Sequence, residues 1–347
     1  MKHRFALTLT LLLAIAALAG CGKKSSSVTS PGGSSGTSSG TAMERAEAAA
    51  VVAQVPEIVE DGVFETDTQM NLSANEYAGA LSAIRPLLWW RKIRHVERSF
   101  EFAFSDTDST GRPTLAIVTV HKHLTGTFNI LTATPHTDST TSDSTRDSLR
   151  VVKKTLDDEW VRKLMLKRIP PRFHDEDGDG DDDDQGEDDA TLTASHHGDR
   201  GDSLRWKLVA TTGVEVTSKD ATTEIQSVRI ETGTKDTTVT DPLVLWHLRR
   251  FVALSSMDTV KITVTTGRND DVVVLFSRWG RTKFHNNGDN TYTRTWRAPF
   301  FAGVGHLGVN AFSHGTLYDD ESPYDSNAWI LPYVIRGFQC GDYLPKD

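Results

Sequence analysis

From about residue 90 onward the apolar residues of this chain recur at every second position, and that period constrains the fold more than any other feature. Val96, Phe100, Phe102 and Phe104 share one parity, while His95, Glu97, Ser99 and Glu101 take the other. Strands with one face in a core and one in water read this way. Leu204, Trp206, Leu208 and Ala210 alternate as cleanly, and so do Val260, Ile262 and Val264. Further strand-like runs are Leu115–Val120, Gly126–Leu131, Leu149–Leu156 and Glu159–Ile169. The parity changes between Ile225, Val228 and Ile230, which predicts a bulge. The expectation is a mainly β chain, roughly a dozen or more short strands in antiparallel sheets packed as a sandwich or closed barrel. A barrel embedded in lipid would need an unbroken outward apolar band, and these strands carry Lys, Arg and Thr on their second face.

Helical periodicity is confined to the segment before the strands, residues 43–89. Ala42 to Val55 is rich in Ala and Glu and stops at Pro56, and Ser73 with Glu76 opens a second candidate that ends before Pro86. Trp89-Trp90-Arg91-Lys92 suits either a lipid headgroup layer or, as we expect, the start of the first strand with one Trp in the core. With 37% hydrophobic and 24% charged residues over 347 positions the chain is globular in composition. Its formal net charge of −9 argues against nucleic acid as a partner.

The amino terminus reads as an address. Lys2, His3 and Arg4 precede an apolar run from Phe5 to Leu18, too short to span a bilayer comfortably and followed by small residues. Leu18-Ala19-Gly20-Cys21 resembles the lipobox of bacterial lipoproteins. The resemblance implies a signal peptide over residues 1–20, cleavage before Cys21, and a diacylglycerol on its thiol. Gly22 in place of Asp implies the outer membrane. Residues 21–42 are then the acylated cysteine and a Ser/Gly tether, a flexible coil with a reach of roughly 25 Å. Acylation would leave Cys340 as the single thiol and no disulfide.

Charge is concentrated in one place. Asp175 to Asp189 holds eleven carboxylates in fifteen residues, enough to account for the whole net charge. Asp175, Asp177 and Asp179, with Asp181 and Asp183 after them, open with the alternation of a calcium loop, yet Gly186 stands where the twelfth ligand should be and Pro170-Pro171 replaces the entering helix. Loose calcium binding or a solvated, self-repelling loop are the two readings. His121 and His123 lie two apart on one strand face, a spacing that suits a transition metal if a third ligand such as His136 joins them. Asp319, Asp320, Glu321 and Asp325 form a further acidic group, read as a calcium-binding loop or a solvated turn. Ser313 and His314, taken as strand neighbours, would point to opposite faces and form no nucleophile–base pair. No H-E-x-x-H motif or Gly-rich phosphate loop occurs, and no G-x-S-x-G lies outside the tether.

One further resemblance covers about residues 242–337. A Gly288-Asp289 turn leads to a strand with Tyr292, Thr293 and Trp296, and a later strand carries His306, Val309 and Ala311. This pattern resembles the immunoglobulin-like accessory domains of bacterial surface proteins, and it implies a β-sandwich without chemistry of its own. The resulting layout is an antiparallel β domain over 90–240 with an acidic loop at 175–189, an Ig-like sandwich over 241–338, and a tail over 339–347. The expected role is a membrane-anchored envelope protein that binds or scaffolds, without catalysis and without an obligate cofactor. Its expected partners are the membrane and an envelope protein or polysaccharide. A secreted hydrolase or carbohydrate-active enzyme using carboxylates of the middle domain is the alternative.

Overall fold

The computed structural model describes residues 40–55, 69–72, 84–134, 148–169, 205–247, 252–277 and 280–336. The chain enters on α1 (Ala42–Ala53), where a capping box closes the first turn: Thr41 Oγ1 accepts from the Glu44 N–H, and Glu44 accepts from the Thr41 N–H at 2.7 Å. Ala48 and Val52 turn into the core. After β1 (Gln69–Asn71) come three long antiparallel strands, β2 (Arg85–Thr107), β3 (Pro113–Thr134) and β4 (Ser148–Ile169). There follow β5 (Arg205–Thr211), β6 (Val214–Ser218), β7 (Ile225–Glu231), β8 (Asp236–Val239), β9 (Trp246–His247), β10 (Val252–Ser255), β11 (Thr259–Thr266) and β12 (Val272–Ser277). The chain closes with β13 (Gly280–Lys283), β14 (His285–Asn286), β15 (Thr291–Arg297), β16 (Gly303–Phe312), the short α2 (His314–Tyr318) and β17 (Ser326–Arg336).

The molecule is mainly β, as its period demands, and the antiparallel pairing is as expected apart from β10, which runs parallel to β17. Two sequence expectations change. Each of β3 and β4 runs unbroken for 22 residues, where the pattern predicts two strands. At Gly126 the missing side chain makes this continuity work: β2 bulges between Ile93 and His95, and a Cβ on Gly126 would lie 2.1 Å from the Lys92 carbonyl oxygen. At Asp157-Asp158 the strand continues because Asp158 is paired in the interior. The second change is at residue 240. One sheet runs β1-β2-β3-β4-β6-β17-β16-β12-β13, joining β6 to β17 across the expected border. The second sheet, β14-β15-β11-β7-β8, likewise draws β7 and β8 from before it.

Two apolar cores result, and they share strands. Even-numbered residues of β3 and β4 (Val118, Leu124, Phe128, Leu156, Trp160, Leu164) fill the first core with Val274, Phe276, Phe312 and Ile330. The alternate residues of the same C-terminal strands, Val273, Leu275, Val309, Trp329 and Leu331, fill the second core against Val228, Val260, Ile262 and Tyr292 of the five-stranded sheet. Strands buried on both faces read as continuous apolar runs, which explains Val272–Phe276 and Trp329–Leu331. The sheets around the second core pack face to face, a sandwich-like arrangement. The long sheet also curls back on itself, because Trp89 of β2 stacks 5.2 Å from Phe128 and reaches Phe276 and Phe312, at 6.1 and 5.1 Å, on strands far along the path. The predicted bulge is present at β7, where the register against β11 slips beside Thr265 and Thr266. Ser313 and His314 are not in a strand: Ser313 caps α2, its Oγ accepting from the Thr316 N–H. Trp89 is buried at the start of β2, so that part of the Trp-Trp-Arg-Lys cluster belongs to the core. Cys21, Cys340, His136, the second helix candidate and the acidic run with Asp175, Asp177, Asp179, Asp181 and Asp183 fall outside the described residues.

Candidate functional site

The β2–β4 meander brings two polar groups together, one on each face. On the outer face the odd-numbered residues align across the three strands: Glu97 stands opposite His123, Ser99 opposite His121, and His123 opposite Glu159. Each imidazole meets a carboxylate. His121 Nδ1 lies 3.0 Å from Glu159, with its Nε2 3.7 Å from Glu101. His123 Nε2 lies 2.6 Å from Asp157, and His95 Nε2 lies 3.1 Å from Glu97. The hydrogen bond to Asp157 raises the His123 pKa above its ordinary value, helped by the Asp157, Glu159 and Glu97 charges and opposed by partial burial. Sequence spacing placed His121 and His123 on one face, and they are on one face. Their nearest groups are hydrogen-bonding carboxylates, and among the described residues no three His, Cys, Asp or Glu side chains converge as a metal site.

The inner face carries charges that sequence reasoning missed. Arg91 of β2 and Asp158 of β4 form an ion pair at 2.6 Å with both side chains 1% exposed. Tyr324 Oη donates to the same Asp158 oxygen at 3.3 Å and accepts from Ser326 Oγ at 2.8 Å, so the pair is tied to the start of β17. Burial pushes the Asp158 pKa up and outweighs the opposing pull of Arg91 and Tyr324. Two rungs away, Lys122 Nζ sits 4.2 Å over the Trp160 ring and Arg162 lies 5.5 Å from it, both fully buried. Lys154 donates to the Gly315 and Asp319 carbonyl oxygens at 2.8 and 2.6 Å, holding the end of α2, and burial lowers its pKa to about 8. The signal was present in the sequence: Leu156, Asp158, Trp160, Arg162 and Leu164 keep one parity throughout.

The acidic group of Asp319, Asp320, Glu321 and Asp325 does not act as a unit. Asp320 pairs with Arg150 at 2.6 Å, and Asp319 caps its own turn through the Glu321 N–H and Ser322 Oγ. Asp325 accepts from the Thr222 and Thr223 N–H groups and from Thr222 Oγ1, joining the two sheets at their end. Nearby, Asp271 is 4% exposed, and burial raises its pKa to about 6 against the opposing pull of Thr266. A cavity of about 10 Å³ between the sheets, bounded by Ile230, Val260, Trp296 and Tyr333, holds at most one water. Chemically, the outer grid can exchange protons and attract cations, and the inner group fixes the curl of the sheet. No protein-family model matches this chain, and no curated protein or solved structure matches it either.

Proposed function

We propose that this chain is a lipid-anchored protein of the bacterial cell envelope that works by binding or scaffolding. Its immunoglobulin-like region would display a surface, and its acylated Cys21 would hold it to the outer membrane. The observation that carries the non-catalytic reading is the state of the polar clusters. The outer imidazoles are engaged with carboxylates on an exposed sheet face, and the Arg91–Asp158 pair is sealed in the core. Catalytic groups must face a common point, and the outer imidazole–carboxylate pairs are instead spread along an open sheet face. A sheet face set with paired charges suits a polar partner such as an envelope protein or polysaccharide.

The test is detergent phase partitioning of the chain expressed with its leader, with and without globomycin, beside a Cys21→Ser variant. The reading expects the untreated chain in the detergent phase, and the treated chain and the variant both changed in processing. A product equally water-soluble in all three would refute it. The acidic run from Asp175 to Asp189 is proposed as a weak calcium-responsive loop; unchanged proteolysis there with millimolar calcium would remove that part.

A further inference from the structure

One apolar feature belongs to neither core. The β15–β16 turn presents Phe300 and Phe301 at 61 and 70% exposure, the start of β16 presents Val304 at 54%, and the facing β10–β11 turn adds Met257 at 41%. The two phenyl rings meet edge to face, 5.6 Å apart. The platform is built, because the turns bind one another: Ser256 Oγ donates to the Phe300 carbonyl at 2.8 Å, and the Ala298 N–H donates to the Asp258 carbonyl at 2.9 Å. Met257 is held at φ +64°, a conformation rare for a residue with a side chain, and that side chain points outward. Large apolar side chains held in water by a rigid frame mark an interaction surface.

Two further observations choose the partner. The register sets Arg336 opposite Ser255 and Arg297 opposite Thr259, so exposed guanidinium groups flank the turn on both sides. The carboxylate of Asp258, within the same turn, accepts from the Ser255 N–H at 2.8 Å. The second observation is where the tether begins. β4 and β17 are both antiparallel to β6, so the end of β17, with Arg336 and the neighbouring Gly303–Val304, lies at the same end of the sheet as the end of β4 and of β2. Gly40 packs there: a Cβ on it would touch the Phe104 ring near the end of β2 at 2.4 Å. Gly40, where the described chain begins, therefore lies at the end that bears the phenylalanines.

We propose that the Phe300–Phe301 turn, with Met257 and Val304, seats in the headgroup layer of an anionic phospholipid bilayer and orients the whole fold on it, Arg297 and Arg336 meeting lipid phosphates. Aromatic and aliphatic side chains with cations around them suit that layer. The proposal rests on the lipid-anchor reading for its cellular setting and for which end of the fold meets the bilayer. The test uses the full chain carrying Cys21→Ser, which has no acyl group, so failure of acylation and failure of this surface are separate results. Flotation with vesicles one third phosphatidylglycerol in phosphatidylcholine is compared with the same chain bearing Phe300→Ser and Phe301→Ser. Both proteins keep the same leader, and the substituted residues are exposed, so matched circular dichroism is expected. The proposal expects binding at least about tenfold weaker for the serine pair. It also expects Arg297→Gln with Arg336→Gln to abolish the preference over pure phosphatidylcholine. Equal flotation of the two proteins would overturn it. So would self-association of the parent that the serine pair abolishes while flotation stays unchanged, since the occupant would then be a second copy of this chain.

Discussion

Replacing Asp158 by alanine isolates what the buried ion pair does. The Asp158 carboxylate lies 2.6 Å from Arg91 Nη2, both side chains are 1% exposed, and Tyr324 shares the same oxygen. Removing the carboxylate strands a guanidinium in the core and takes away the acceptor of a buried tyrosine, which together cost about 3–5 kcal/mol. The pair as a whole is a different matter. Burial raises the Asp158 pKa despite Arg91, so the attraction does not fully offset desolvation. Arg91→Met with Asp158→Leu should therefore return stability to within about 1–2 kcal/mol of the parent, or exceed it. Asp158→Asn, which keeps an acceptor for Tyr324 but not the charge, should fall between Asp158→Ala and the double replacement. Urea unfolding at one pH, followed by circular dichroism and tryptophan fluorescence, gives all four values. The reasoning fails if Asp158→Ala loses less than about 1 kcal/mol, or if the double replacement is as unstable as the single one.

Other outcomes follow from groups in unlike surroundings. Asp271 is ionised at neutral pH against a burial penalty, its pKa being raised to about 6. Its contribution favours the folded state below the unfolded value of about 3.8 and is lost as pH rises through 6, so Asp271→Asn should raise the melting temperature at pH 7 by the equivalent of about 1–3 kcal/mol and flatten its dependence between pH 4 and 7. His123 has the same sign in a different window: its raised pKa gives stability below about pH 6.5 that fades as pH rises past the folded value. Because His123 is 42% exposed, His123→Gln should remove well under about 1 kcal/mol at pH 6 and nothing at pH 9, read from urea midpoints. Gly126→Ala should cost about 1–3 kcal/mol or more, since its Cβ meets the Lys92 carbonyl oxygen rather than a movable side chain. Hydrogen exchange at the β2–β3 pairing is the local readout.

The readable and unreadable parts of this sequence differ in range. Alternation is local, and so the side facing the core on β5 and on β11, the bulge in β7, and the turn at Gly288, with φ +86°, could all be read from neighbours a few residues apart, whereas Val96 and Phe100 of β2, at core parity, are exposed. The pairing of β6 with β17 joins residues over a hundred positions apart and leaves no local mark. A border drawn from a change in composition near residue 240 therefore cut through both sheets. Charged residues at core parity form a third kind of information. Arg91, Lys122, Asp158 and Arg162 follow the period of their apolar neighbours, yet Asp157-Asp158 reads as the end of a strand because an isolated buried carboxylate is costly. What reverses that judgement is the position of Arg91 in another strand, which the pairing of β2 and β4 on either side of β3 supplies. The outer grid is intermediate: His121 and His123 were placed on one face by spacing alone, whereas Asp157 and Glu159 became their partners through the register of β3 against β4. A polar residue at core parity is therefore better read as a demand for a distant partner than as a strand end. By the same logic, the exposed Phe300 and Phe301, which satisfy no core at all, point to a partner outside the chain.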